Sequence, residues 1–327
     1  MTERRRLLSA GLAAAALPAA TLPGDVALAQ APGLQQQAAP PAAAPAPAAA
    51  PALPYRAHRI RTPDGLTIAA YEYGNPAGPA ILFIHGFAQA ALSWDRQTRD
   101  AELAREFRMV AYDLRGHGMS DKPVGNEHYR TARFWADEVK AVIEQIGLRR
   151  PTLVGWSMGG RVMGDYLIEH GHSGIAAMNW VAAVSSSADA RRWGRGARLI
   201  GPMGSADPAT MIRSTVAFLR ECFEVQPSAS DFETMLAFNM MIPAHARNSL
   251  GGRAADYERE LRALDIPVLV THGALDRVVD ASMGRYTASV VPNARLSEYA
   301  NIGHAPFWED APRFNRELAE LVRGARR

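Results

Sequence analysis

From residue 55 onward, short apolar runs alternate with stretches of helical periodicity. Residues 60–62 and 66–73 flank Pro63-Asp64-Gly65, whose residue types make a hairpin turn. Further apolar runs stand at 80–84, 109–112, 152–154, 175–183, 267–271 and 294–299. Helical spacing fills 93–106, 131–146, 158–170, 281–290 and 311–323. Continuous apolar strands separated by helices imply a mostly parallel sheet covered on both faces. The pattern predicts an α/β fold whose sheet, about eight strands wide, opens antiparallel. Residues 185–264 break the rhythm, with no strand pattern and four or five helical runs, among them 208–223 and 231–241. A helical insert of this size is most simply a cap over the ligand crevice, because such sheets bind ligands at the carboxyl ends of their strands.

The first 54 residues follow different rules. Arg4-Arg5-Arg6, an apolar run from Leu7 to about Leu22, and Ala27-Leu28-Ala29 are the three parts of an export signal over residues 1–29. The run is too short and Ala-rich for a comfortable membrane span. Arg-Arg-x-Leu-Leu resembles a twin-arginine signal, although Glu3 stands where Ser or Thr usually precedes the pair. These features predict export to the periplasm or medium through the export machinery, with no stable span in the mature chain. An uncleaved anchor is the alternative. Residues 30–54 are mostly Ala and Pro and read as a linker. The globular domain is then 55–327, with the cap at about 185–264.

Composition narrows the function classes. The 327 residues are 48% hydrophobic, which is ordinary for a folded domain. A net charge of +3 without a basic block beyond the first residues leaves nucleic-acid binding no electrostatic footprint. The lone Cys222 excludes an intramolecular disulfide and any multi-cysteine zinc site.

The chemistry centres on Gly155-Trp156-Ser157-Met158-Gly159, a G-x-S-x-G pentapeptide placed between a strand and a helix. Small residues at both ends allow a sharp turn that lifts the Ser157 hydroxyl clear of the sheet at a helix N-terminus. A serine hydroxyl needs a base, and the chain order for this elbow is Ser, acid, His. His304 and Asp276 each follow a late strand, so both fall on the sheet edge that carries Ser157. Asp189 is the rival acid, and Asp280 reads as a helix N-cap. His58, His128, His170, His172 and His245 stand in loops, at a helix end or in the cap, and read as structural. Backbone N–H groups of Phe87 and Met158 are the candidate oxyanion donors. His85, Gly86, Trp156 and Phe307 are candidates for the substrate pocket.

His85-Gly86-Phe87, Asp113-Leu114-Arg115-Gly116-His117-Gly118, Gly155–Gly160, Gly273–Asp276 and Gly303-His304 together resemble the α/β-hydrolase superfamily. The similarity covers about residues 58–325 and is to the branch holding esterases, lactonases, cofactor-free haloperoxidases (perhydrolases) and carbon–carbon bond hydrolases. It implies a serine hydrolase acting on a small ester-like molecule without metal or organic cofactor. Ser157 departs from the pattern of haloalkane dehalogenases and epoxide hydrolases, which place Asp there. Perhydrolysis, lactone cleavage and carbon–carbon cleavage use the same triad, and a catalytically silent ligand-binding protein is the reading from another class.

Overall fold

The computed structural model describes residues 55–325 apart from 252 and 293; the expected export signal (1–29) and linker (30–54) lie outside the described residues. The strands are β1 (Arg56–Arg61), β2 (Thr67–Gly74), β3 (Ala80–Ile84), β4 (Arg108–Tyr112), β5 (Thr152–Trp156), β6 (Ala177–Val181), β7 (Val268–Gly273) and β8 (Arg295–Tyr299). They form one sheet in the order β1-β2-β4-β3-β5-β6-β7-β8. β2 pairs antiparallel with β1 and β4, and every other pairing is parallel. β3, β5, β6 and β7 are buried along their whole length, as strands covered on both faces must be. The edge strands β1 and β8 carry the exposed arginines.

Parallel pairing decides where the site can form. The loops that follow β3, β5, β7 and β8 all leave from one edge of the sheet. Those loops carry His85 to Phe87, Ser157, Asp276 and His304 respectively.

The helix expected over 93–106 is broken. A 3₁₀ turn (Ala91–Trp94), a short helix (Asp95–Thr98) and a second one (Ala101–Glu106) replace it. The Asp100 carboxylate accepts the Leu103 N–H at 2.9 Å, so Asp100 starts a new helix rather than continuing the old one. Between β6 and β7 lie three 3₁₀ turns and the helices Pro208–Glu221, Ala229–Met240, Ala244–Leu250 and Glu258–Arg262. Among the described residues of 185–264 there is no strand, only the isolated bridges Ser186↔Asp256 and Trp193↔Val279. Phe218, Met235 and Phe238 of this region are buried, whereas Met241 is 43% exposed and faces away from the core. Among the described residues no helix is long and apolar enough to cross a membrane.

Candidate active site

Ser157 follows β5 directly and precedes the helix Met158–His170. Its backbone lies at φ 54°, ψ −114°, a strained conformation for a residue with a side chain. The turn is tight on both sides. A Cβ at Gly155 would sit 2.6 Å from Met163 Cε, and one at Gly159 would overlap the Ile84 carbonyl oxygen. Ser157 N–H donates to the Val181 carbonyl at 3.0 Å, and its own carbonyl accepts from Gly160 and Val184. The backbone is thus fixed from three directions, while the hydroxyl has no hydrogen-bond partner among the described residues. Such bonds are often formed only with substrate in place.

His304 Nδ1 and Asp276 Oδ2 are 2.7 Å apart, and both side chains are almost fully buried. The His304 backbone is held as well, by donation to the Cys222 carbonyl at 2.9 Å and acceptance from Trp156 Nε1 at 2.8 Å. Asp276 Oδ1 accepts the N–H groups of Val278 (2.7 Å) and Val279 (3.0 Å). A second histidine, His272, places Nε2 at 3.1 Å from Asp276 Oδ2 and 2.9 Å from the Val279 carbonyl. A carbonyl only accepts, so His272 carries its proton on Nε2 and offers it to both oxygens. Burial by itself would raise the Asp276 pKa, but the charge of His304 and hydrogen bonds from His272 and His304 hold it well below the ordinary carboxylate range. Asp189 lies elsewhere, capping the 3₁₀ turn Ala190–Arg192 and paired with Arg191 at 3.0 Å. Asp280 accepts the Ser282 N–H at 2.9 Å, an N-cap.

The loop after β3 is held by two neutral histidines. Leu114 N–H donates to His85 Nε2 (3.0 Å), so the His85 proton is on Nδ1 and goes to the Gly86 carbonyl (2.8 Å). Ala88 N–H donates to His117 Nε2 (3.3 Å), and His117 Nδ1 donates to the Arg115 carbonyl (2.9 Å). The rings meet edge to face at 4.9 Å. Burial pushes His85 down to about 4 and His117 down to about 3. The backbone N–H groups of Phe87 and Met158 have no acceptor among the described residues. Both residues line, with Ser157, a cavity of about 260 Å³.

The pocket candidates separate. His85 is fully buried and tied to backbone, and Gly86 packs under Ser157, where a Cβ would lie 3.1 Å from that of Ser157. Neither borders the Ser157 cavity, because the loop needs both of them as structure. Trp156 and Phe307 do not border it either. The Trp156 ring lies 5.5 Å from that of His304 and 4.8 Å from that of Phe307, and both aromatics line another cavity of about 200 Å³ with Phe223 and Phe238. Arg115 is fully buried on Glu138 and Asp64, so it ties down its loop. Sequence reasoning gave no role to His272 or to Arg161 and Arg253, which line the Ser157 cavity. His272 stood in plain view, four residues before Asp276 on the same strand end. Nothing in the sequence brings Arg253, almost a hundred residues on, to Arg161.

A family profile described as alpha/beta hydrolase fold matches residues 79–311. A solved structure of a proposed aryl esterase from Burkholderia cenocepacia is 36% identical; the match covers 83% of this chain and 99% of that one, with a TM-score of 0.79. An esterase structure from Rhodococcus sp. ECU1013 is 33% identical over 81% of this chain and 98% of that one, with a TM-score of 0.76. A bifunctional esterase/perhydrolase from Acinetobacter calcoaceticus is 26% identical, over 81% of this chain and 99% of its own length.

Proposed function

Because this chain belongs to the α/β-hydrolase family, we propose that it cleaves carboxylic esters of small to medium, partly apolar substrates through an acyl-enzyme on Ser157. One observation carries the reading: the 2.7 Å His304–Asp276 bond stands on the same sheet edge as the strained Ser157 elbow. In this scheme His304 Nε2 takes the Ser157 proton as Oγ attacks the carbonyl carbon. Asp276 keeps the Nδ1 proton pointed at itself and stabilises the imidazolium. The free N–H groups of Phe87 and Met158 receive the oxyanion. His304 then protonates the leaving alcohol and activates water, which releases the acid and restores Ser157. No metal or organic cofactor takes part.

The second reading replaces that water by hydrogen peroxide, so that the acyl-enzyme yields a peracid. It is supported by similarity to the esterase/perhydrolase of Acinetobacter calcoaceticus. Two assays test both. A fluorophosphonate probe labels the protein and fails on Ser157→Ala if the serine is the nucleophile; an unlabelled wild type overturns the reading. A panel of p-nitrophenyl esters run beside peroxide-dependent bromination in acetate buffer separates hydrolysis from perhydrolysis.

A further inference from the structure

We propose that the Ser157 cavity ends in an anion site, in which Arg161, supported by Arg253, receives a free carboxylate carried by the substrate. The inference rests on the ester-hydrolase reading and names its substrate class: half-esters of dicarboxylic acids, or esters with an acid on the acyl part.

Arg161 stands in the first turn of the helix Met158–His170 that follows Ser157. It lines the cavity together with Ser157 and Arg253. The lining holds these two guanidiniums and no Asp or Glu, and most of the remaining wall is apolar, with Phe87, Val184, Phe218 and Leu250. A nearby carboxylate, Asp165, is already committed. Arg253 takes both its oxygens, at 2.7 and 2.6 Å, and the Tyr257 hydroxyl donates to one of them at 2.9 Å. Two cations therefore share one anion. Among the described residues no carboxylate comes within 4.0 Å of Arg161, whose polar partner is the neutral Tyr257 hydroxyl. Its Nε is buried without an acceptor.

A cation left in this position costs stability unless something compensates it. Burial, with Arg253 adding to it, pushes the Arg161 guanidinium below its ordinary range. A substrate carboxylate would supply the missing charge and, on a planar fork, accept two hydrogen bonds at once. The apolar residues that share the cavity with Ser157 and Arg161 suit the methylene spacer of such a half-ester. The same cavity then sets polarity at one end and chemistry at the other.

The test compares monoethyl succinate, glutarate and adipate with the corresponding diethyl esters, using the purified full chain. The wild type should favour the half-esters in kcat/KM; a wild type that prefers the neutral diesters overturns the proposal without any variant. In Arg161→Met the charged-to-neutral ratio should fall tenfold or more through KM, and Arg161→Lys, which keeps the charge but not the fork, should retain only part of it. An equal loss for both ester classes assigns Arg161 a structural role and overturns the proposal. Calorimetric titration of glutarate into Ser157→Ala separates the two readings. Glutarate that binds Ser157→Ala at least tenfold more tightly than Ser157→Ala/Arg161→Met, with no ester cleaved by the wild type, keeps the anion site and rejects the esterase. Esters cleaved with no glutarate binding and no charge preference reject the anion site alone.

Discussion

In the proposed scheme His304 presents its Nε2 lone pair to Ser157, while Asp276 holds the other nitrogen at 2.7 Å. If the three residues act as a unit, Ser157→Ala and His304→Ala should each lower kcat on p-nitrophenyl acetate by about 10⁴-fold or more. Asp276→Asn leaves the shape but inverts the tautomer and should cost about 10⁴-fold; a near-normal rate would remove Asp276 from the scheme. His272 adds a finer prediction. Its Nε2 proton draws on the same Oδ2 that serves His304. Without that donor the Asp276 carboxylate is held less firmly against His304, so His272→Ala should lower kcat on p-nitrophenyl acetate with KM little changed. An unchanged kcat would leave His272 a purely structural role. The shared sheet edge of Ser157, Asp276 and His304 was legible because each follows a predicted strand. His272 shared that strand end, but its contact with Asp276, like the approach of Arg253 to Arg161, arises only in the folded chain.

At the scale of elements, the loop after β3 depends on one tight approach and two uncharged rings. The helix Met158–His170 runs so close to β3 that a methyl at Gly159 meets the Ile84 carbonyl. Gly159→Ala should displace the helix start, lower Tm and slow fluorophosphonate labelling together. Gly147 provides the control: it ends its helix at φ +72° with open space around it, so Gly147→Ala should cost only about 1–2 kcal/mol and leave labelling intact. The rings of His85 and His117 bind only as neutral groups. Their folded pKa values, about 4 and about 3, lie below the ordinary 6.5. Their contribution to stability is therefore complete above about pH 6.5 and fades as pH falls towards those values, since the unfolded chain binds the protons first. Urea midpoints at pH 7 and pH 5 should differ more in the wild type than in His117→Asn, and equal differences would show that the ring is not held neutral. Strands were readable here because β3, β5, β6 and β7 are mostly apolar and buried along their whole length. The expected helix over 93–106 failed at Asp100, where a side-chain cap outcompeted periodicity.

For the whole molecule, the sequence predicts an address, a linker and a globular body, and the described residues of the last of these carry the sheet. β1 starts at Arg56 and pairs with β2 along its full length, and the family match begins only at residue 79. A chain reduced to residues 55–327 should therefore match the full chain in Tm and in ester hydrolysis. We propose that residues 1–29 direct the protein out of the cytoplasm, since Arg4-Arg5-Arg6, the apolar run after them and Ala27-Leu28-Ala29 are the three parts of an export signal. The consequence is separable from catalysis. Cell fractionation should find the full chain in the periplasm or medium and the 55–327 chain in the cytoplasm, both active. Arg4→Lys/Arg5→Lys should hold the full chain in the cytoplasm if the twin-arginine route carries it, and leave its export unchanged if another route does. A full chain found only in the cytoplasm, with residues 1–29 still attached, would overturn the export reading and leave the hydrolase untouched.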